Sequence, residues 1–264
     1  MILEKIAAQT ALRYQKRKEI IPPAQMQEMA EQMVKKRDFP FAKALRKEGI
    51  TFICEVKQAS PSKKRIAETF PYCSIAQEYE TAGAGCVSVL TEPNWFLGDD
   101  RYLREIAGAV SIPVLRKDFT IDEYQIYEAK TLGAHGVLLI CALLDTRTLA
   151  QYLDIAHGLG LSAIVEAHTA AETDSAVAAG AEIIGINNRN LKTFAVDLDT
   201  SVHLRDRVPP DRLFVSESGI RTAEDVAALR KIGADGVLIG ETLMRSPNKT
   251  QTLRAFRGTE VWPR

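Results

Sequence analysis

Glu55 and Lys57 stand two residues apart at the end of an apolar run, Phe52-Ile-Cys-Glu-Val-Lys-Gln-Ala-Ser-Pro-Ser62, that stops in a Ser-Pro-Ser turn. On a strand the two side chains project from one face. An acid beside a base there is costly to bury and suits proton exchange. Similar runs end in Leu90-Thr91-Glu92, Lys117, Ile140, Glu166, Asn187 with Arg189, Glu217-Ser218-Gly219 and Gly240-Glu241. Brought to one place, the first, third, fifth and seventh of these ends supply two lysines and three glutamates, a set for acid–base chemistry. The histidines (His135, His157, His168, His203) show no HxH, HxxxH or HExxH spacing, so no metal site is expected, and His168 reads as a loop histidine. No nucleotide-binding loop and no activated serine or cysteine elbow is present.

The elements that must position these residues come from a repeat. Gly83-Ala-Gly-Cys-Val-Ser-Val-Leu90 is echoed by Gly133-Ala-His-Gly-Val-Leu-Leu-Ile140, Gly180-Ala-Glu-Ile-Ile-Gly-Ile-Asn187 and Gly233-Ala-Asp-Gly-Val-Leu-Ile-Gly240, at spacings of 50, 47 and 53 residues. Each copy opens with Gly-Ala, suited to a helix C-cap, and becomes an apolar strand. Between the copies lie Ile112–Lys117, Leu161–Glu166 and Arg212–Glu217; with Phe52–Lys57 they make eight strands. Helix-like stretches follow, such as Cys73–Ala82, Ile121–Leu132 and Thr222–Ile232. Eight β-α units in about 210 residues match an α/β fold, a (β/α)8 TIM barrel. The alternative, a doubly wound open sheet, is disfavoured by the recurrence and by the lack of an early GxGxxG.

Ahead of the barrel (residues 49–264), residues 1–48 read as an N-terminal helical extension packing on it. Two helices are expected, Ile2–Glu19 and Ala24–Arg37, broken at Pro22-Pro23. The clusters Lys16-Arg17-Lys18 and Lys35-Lys36-Arg37 read as solvated helix faces, with ligand contacts as the alternative. Lys+Arg and Asp+Glu number 34 each, so no global field favours nucleic acid or an anionic membrane. No apolar run is long enough to span a bilayer, and no signal peptide is expected. The four cysteines form no CxxC pair and read as buried, reduced thiols, which with the rest points to the cytoplasm.

In such barrels the site forms at the C-terminal ends of the strands, and the loops after strands seven and eight commonly hold a phosphate. Ser218-Gly219-Ile220 and Ile239-Gly240-Glu241-Thr242 occupy those loops. Their glycines admit backbone N–H groups to an anion, and a helix start favours negative charge. Ser60, Ser62 or Arg189 could add donors. The residues alone therefore point to an acid–base barrel enzyme acting on a small phosphorylated molecule.

Several stretches together resemble the indole-3-glycerol phosphate synthase family of tryptophan biosynthesis. They are Glu55-Val-Lys57 with Ser60-Pro61-Ser62, Leu90-Thr91-Glu92, Arg116-Lys117-Asp118-Phe119 and Val165-Glu166, then Gly185-Ile-Asn-Asn-Arg-Asn-Leu191, Ser216-Glu-Ser-Gly-Ile220 and Gly240-Glu-Thr-Leu-Met-Arg245. The resemblance spans the barrel in the family's order, and the helical prelude matches the family's extension. It implies ring closure of a carboxyphenylaminodeoxyribulose phosphate to indole glycerol phosphate, with loss of carbon dioxide and water and without a cofactor, by a monomer or weak homodimer. It makes Lys117 the leading general acid, with Lys57 beside the substrate carboxylate or active in dehydration. Glu166 becomes the second acid–base group, Glu55 an ion-pair partner, Asn187 a hydrogen-bond partner of a polar substrate group and Glu217 a supporting carboxylate. Ser60, Arg189, Ser218, Gly219, Gly240 and Glu241 become the phosphate site, and Phe96, Phe119 and Leu191 the wall for the aromatic ring. One departure stands out: Lys63-Lys64-Arg65 follows Ser62, where the family usually has Lys-Gly. Loss of that glycine is expected to alter loop closure or product release.

Two other readings are distinguishable. A Schiff-base aldolase on the same barrel would yield a borohydride-trapped lysine adduct. A non-catalytic phosphate-ligand protein would leave the charged strand ends idle.

Overall fold

The computed structural model describes residues 2–33, 37–61, 64–66 and 69–258. Eight parallel strands close into a barrel: β1 (Thr51–Val56), β2 (Cys86–Leu90), β3 (Val114–Lys117), β4 (Gly136–Ile140), β5 (Ser162–Ala167), β6 (Ile183–Asn187), β7 (Leu213–Glu217) and β8 (Gly236–Ile239). Each pairs with the next, and β8 returns to β1 with Thr51 opposite Gly236 and Cys54 opposite Ile239. The alternative of an open sheet is thereby excluded.

The repeated Gly-Ala pairs do what their chemistry suits. Gly83, Gly133, Gly180 and Gly233 all have φ between 75° and 88°. Each glycine N–H bonds back into the last helical turn, and the following alanine N–H reaches one residue further, as in Ala84 to Tyr79 and Ala234 to Leu229. This is the Schellman arrangement, which needs a residue at ease in the left-handed region. It ends the helices α4 (Tyr72–Thr81), α6 (Tyr124–Thr131), α8 (Ala170–Ala178) and α10 (Ala223–Lys231) at the point where the chain turns into a strand. The expected helices are therefore present: α4 is shifted back by one residue, and α6 and α10 are trimmed at both ends. The other barrel helices are α5 (Asp100–Ala109), α7 (Thr146–Gly158), α9 (Asp199–Leu204), α11 (Glu241–Arg245) and α12 (Lys249–Arg257).

Two apolar cores result. The larger fills the layer between sheet and helices, with Val87, Val89, Ile184 and Ile186 meeting Leu103, Ile126 and Leu229. The smaller lies inside the barrel, around Ile53, Leu115, Ile164 and Val215. Strand alternation separates them, because successive side chains point to opposite faces.

The N-terminal stretch forms α1 (Ile2–Ile20), α2 (Pro23–Gln32) and α3 (Pro40–Leu45). Pro22 caps α2 and Pro23 opens it, so the break falls where proline places it. The second helix stops well short of Arg37, and Lys35 and Lys36 lie outside the described residues. The third helix plugs the bottom of the barrel: Phe41, Ala42 and Leu45 join the inner core, and Ala42 N–H donates to Ser162 Oγ at 3.2 Å.

Arg17 and Lys18 are not the solvated face expected for them. Arg17 pairs with Asp100 and, at 2.5 Å, with Glu128, and Lys18 pairs with Asp122 at 2.5 Å. The acids come from α5, α6 and the loop before α6, partners about a hundred residues away that no helical pattern could disclose. Lys16 and Arg37 are exposed. Of the thiols, Cys54 and Cys86 are buried, Cys73 and Cys141 are half-buried, and all four are free.

Candidate active site

A cavity of about 570 Å³ opens at the C-terminal mouth of the barrel. The residues singled out above for catalysis, phosphate and ring contact line it, apart from Ser62, which lies outside the described residues. All eight strands contribute to it, β4 through Leu138 and Ile140 and β5 through Glu166.

The floor carries the charge. Glu55 and Lys57 form an ion pair at 2.5 Å, with Glu55 buried. A Cβ on residue 240 would collide with Glu55 Oε1 and would come within 2.6 Å of Lys57 Nζ. A side chain at 240 would thus push the Glu55–Lys57 pair aside, in addition to any effect on an anion. Across the floor, Lys117 Nζ lies 3.4 Å from Glu166 Oε2 and 3.7 Å from Glu217 Oε2. Burial works against the Lys117 charge, but the carboxylates around it, Glu166 first, outweigh it and hold the ammonium above its ordinary range. Burial likewise works against the Glu166 carboxylate. Lys117, His168 and a hydrogen bond from Asn187 reverse that and hold it below the usual carboxylate range.

Glu217 goes the other way. Burial first, then the neighbouring Glu166 and Glu55, overcome Lys117 and push its carboxyl up to about 8. Its Oε1 is buried and has no hydrogen-bond partner, which suits a carboxyl that holds a proton. Gly185 on the neighbouring strand makes the space: a Cβ there would strike Glu217 Oε1. Two carboxyls flanking one ammonium therefore sit in opposite states, one ionised and one protonated.

The apolar side follows β2 and β3. Phe96 and Phe119 pack with ring centroids 5.9 Å apart, and Leu90, Ile140 and Leu238 line the cavity near them. Phe96 is held by a residue whose part the sequence did not disclose. Glu92 is buried and its carboxylate accepts from the N–H groups of Asn94, Trp95 and Phe96 at 2.7 to 3.1 Å. Leu191 comes from the loop after β6.

The loops after β6, β7 and β8 lie on the opposite side of the mouth and carry the anion chemistry. Ser218 and Gly219 both have positive φ, 67° and 87°. For serine this is a strained conformation, worth about 1 kcal/mol or more, that persists only where neighbours impose it. Buried Asn188 does so, donating from Nδ2 to Ser216 Oγ and to the carbonyls of Glu217 and Ser218. Arg189 donates its N–H to Asn187 Oδ1 at 3.0 Å. The Glu241 side chain accepts from Arg245 at 3.1 Å, so what the start of α11 offers a ligand is backbone N–H. Arg221 and Arg245 also line the cavity and were missed, because neither sits at a strand end.

The mouth is closed from above by α1, whose Ile2, Leu3 and Ile6 line the cavity. A hydrogen bond from Arg116 and an ion pair to Asp118 anchor that helix on either side of Lys117. Arg116, buried and pointing away from the cavity, donates to Tyr14 Oη and Glu128 at 2.8 Å and to Asp100 at 2.7 Å. Arg13 donates to both oxygens of Asp118 at 3.0 and 2.9 Å. Ser60 lies in a short antiparallel hairpin, Ala59–Ser60 with Lys64–Arg65, in which its backbone pairs with Lys64. Ser62 and Lys63 lie outside the described residues. Among the described residues no cluster of His, Cys, Asp and Glu is arranged to hold a metal ion.

The chain is similar to known proteins over nearly its whole length. The family model described as indole-3-glycerol phosphate synthase matches residues 3–256. An indole-3-glycerol phosphate synthase of Ruminiclostridium cellulolyticum is 58% identical over 259 residues, covering 98% of this chain and all of that one. One of Endomicrobium trichonymphae is 53% identical over 260 residues, covering 97% of this chain and all of that one. Among solved structures, a 3-hexulose-6-phosphate synthase superposes with a TM-score of 0.64 at 14% identity, covering 79% of this chain and 98% of that one, a likeness of fold.

Proposed function

The chain belongs to the indole-3-glycerol phosphate synthase family, a family of carboxy-lyases, and from that premise we propose how its residues divide the work. The reaction closes the ring of 1-(2-carboxyphenylamino)-1-deoxyribulose 5-phosphate, then loses carbon dioxide and water to give indole-3-glycerol phosphate. The observation that carries the assignment of roles is Lys117, an ammonium kept charged at the floor between Glu166 and Glu217.

In the first step the ring carbon bearing the carboxylate bonds to the ketone carbon. The carbonyl π electrons move to oxygen, and Lys117 gives that oxygen its proton, becoming neutral. Lys57, charge-balanced by Glu55, steadies the carboxylate. The bond to carbon dioxide then breaks, and its electron pair restores the aromatic ring. In the last step the new hydroxyl leaves as water and a proton leaves the adjacent ring carbon. A lysine ammonium, Lys57 or a reprotonated Lys117, protonates the hydroxyl, and Glu166 takes the proton from carbon. Asn187 orients Glu166.

The backbone around Ser218, Gly219, Gly240 and Glu241, with Ser60 and Arg189, takes the phosphate. Phe96, Phe119 and Leu191 take the aromatic ring. The Phe pair follows β2 and β3 while the anion loops follow β6 to β8, so a substrate held at both ends lies across the charged floor. We place the enzyme in the cytoplasm as a monomer or weak homodimer; no described helix is long and apolar enough to cross a membrane. Gel filtration with light scattering tests the oligomeric state.

The test of the roles is direct. Purified protein mixed with the carboxyphenylamino substrate is expected to develop indole fluorescence. Lys117→Met is expected to lower kcat by about a hundredfold or more while leaving product affinity within a few-fold. Well-folded Lys117→Met with undiminished turnover would refute the assignment.

A further inference from the structure

His168 stands just beyond β5, two residues past Glu166, and does not line the cavity. Its ring lies between two carboxylates. Nε2 is 3.4 Å from Glu166 Oε1, and Nδ1 is 3.3 Å from Glu172 Oε2. The ring is held from behind by the start of α8. Thr169 caps that helix and accepts from Glu172 N–H at 3.3 Å. The Glu172 carboxylate then reaches past the cap to accept the His168 N–H at 2.7 Å. One carboxylate thus fixes both backbone and ring.

Glu166 divides its two oxygens accordingly, Oε2 toward Lys117 and Oε1 toward His168. His168 Nε2 is buried and makes no aligned hydrogen bond, although it faces the Glu166 oxygen. A side chain so placed gains a full hydrogen bond from a small turn of the carboxylate.

We propose that His168 is a positioning residue for Glu166: it holds Oε1 so that Oε2 stays on Lys117, and as an imidazolium it keeps Glu166 ionised for the dehydration step. The proposal rests on the acid–base role given to Glu166 above. The groups facing the ring are Glu166 from β5, Glu172 from α8 and Glu217 from β7, with Lys117 of β3 beyond Glu166. The Cys141 thiol, after β4, donates to the Glu172 carbonyl at 3.3 Å. Burial alone would discharge the imidazole, but the hydrogen bond with Glu172 and the Glu166 and Glu172 carboxylates outweigh it and raise its proton affinity. The effect on Glu166 is reciprocal: a positive neighbour lowers the pH at which the carboxylate loses its charge.

The experiment compares wild type, His168→Gln, His168→Ala and Glu166→Gln, each checked for folding by circular dichroism and melting. His168→Gln keeps a donor and loses the charge. Its kcat is expected to fall about tenfold, and the acid limb of kcat against pH to move up by about half to one pH unit. His168→Ala is expected to lose more, because it also loses the contact. A profile superimposed on that of wild type, or one lowered uniformly with an unmoved limb, would overturn the proposal while leaving the Glu166 role intact. Glu166→Gln with full activity would remove that role and the proposal with it. Should the His168 variants fail to fold, the His168 ring resonance in the intact protein provides the measurement. Its titration midpoint is expected above the ordinary histidine value and to drop in Glu166→Gln, whereas an unchanged midpoint would refute the coupling.

Discussion

Lys117 and Glu217 illustrate how one buried cluster can hold groups in opposite states. Three carboxyls face two lysines, and full ionisation would leave a net negative charge in a dry site. Glu217, the most enclosed of the three, keeps its proton instead. The consequence for stability has a definite sign. The unfolded chain ionises a glutamate near 4.5, whereas the folded protein holds the Glu217 proton to about 8. Its contribution is therefore fully present below the lower value and is lost as pH rises through that window. Glu217→Gln is expected to gain on wild type by about 4–5 kcal/mol at pH 9 and to match it near pH 4.5, measured by urea unfolding. Parallel pH profiles for the two proteins would show that Glu217 ionises like a surface glutamate.

At the scale of elements, α1 is the piece whose attachment matters most to the site. It presents Ile2, Leu3 and Ile6 to the cavity and is tied down by Arg13 and Arg17. Arg13 is bidentate on Asp118, a buried carboxylate next in chain to Lys117. Arg13→Ala leaves that carboxylate with Thr91, the Phe119 N–H and Arg116 at 3.7 Å, and is expected to cost about 1–3 kcal/mol. Because α1 forms the cavity's apolar lid, KM is expected to rise more than kcat falls. Steady-state kinetics beside a thermal melt would show it, and an unchanged KM would mean that the lid stays seated without this pair.

For the molecule as a whole, the two ends of the barrel do different jobs. The mouth holds the strained Ser218 turn, the orphaned Glu217 oxygen and the charge cluster, all unfavourable to folding and suited to chemistry. The bottom is closed by α3, with Phe41 fully buried in the inner core. Phe41→Ala is expected to cost about 3–5 kcal/mol through the cavity it leaves. Turnover at a temperature where the variant is folded should change little, since the substitution lies at the other end of the strands. A large fall in kcat at unchanged fold would show that the two ends are coupled.

The architecture could be read from the chain because its signals are local and repeated. Gly-Ala before an apolar run needs only the left-handed backbone of glycine and the burial of a strand, and four copies at nearly equal spacing leave little besides a closed barrel. The charged strand ends were legible for the same reason, since alternation decides which face Glu55, Lys117, Glu166 and Glu217 share. What tertiary structure alone decided are the partners. Arg17 finds Glu128, Arg13 finds Asp118, and Asn188 finds the Ser218 carbonyl across gaps of 30 to 111 residues, and nothing in the helix or strand pattern marks them. Opposite charge states in adjacent carboxyls, and the carboxylate on either side of His168, depend on burial and distances of a few ångströms. Residue type names the groups that can carry a proton; only their packing decides which of them does.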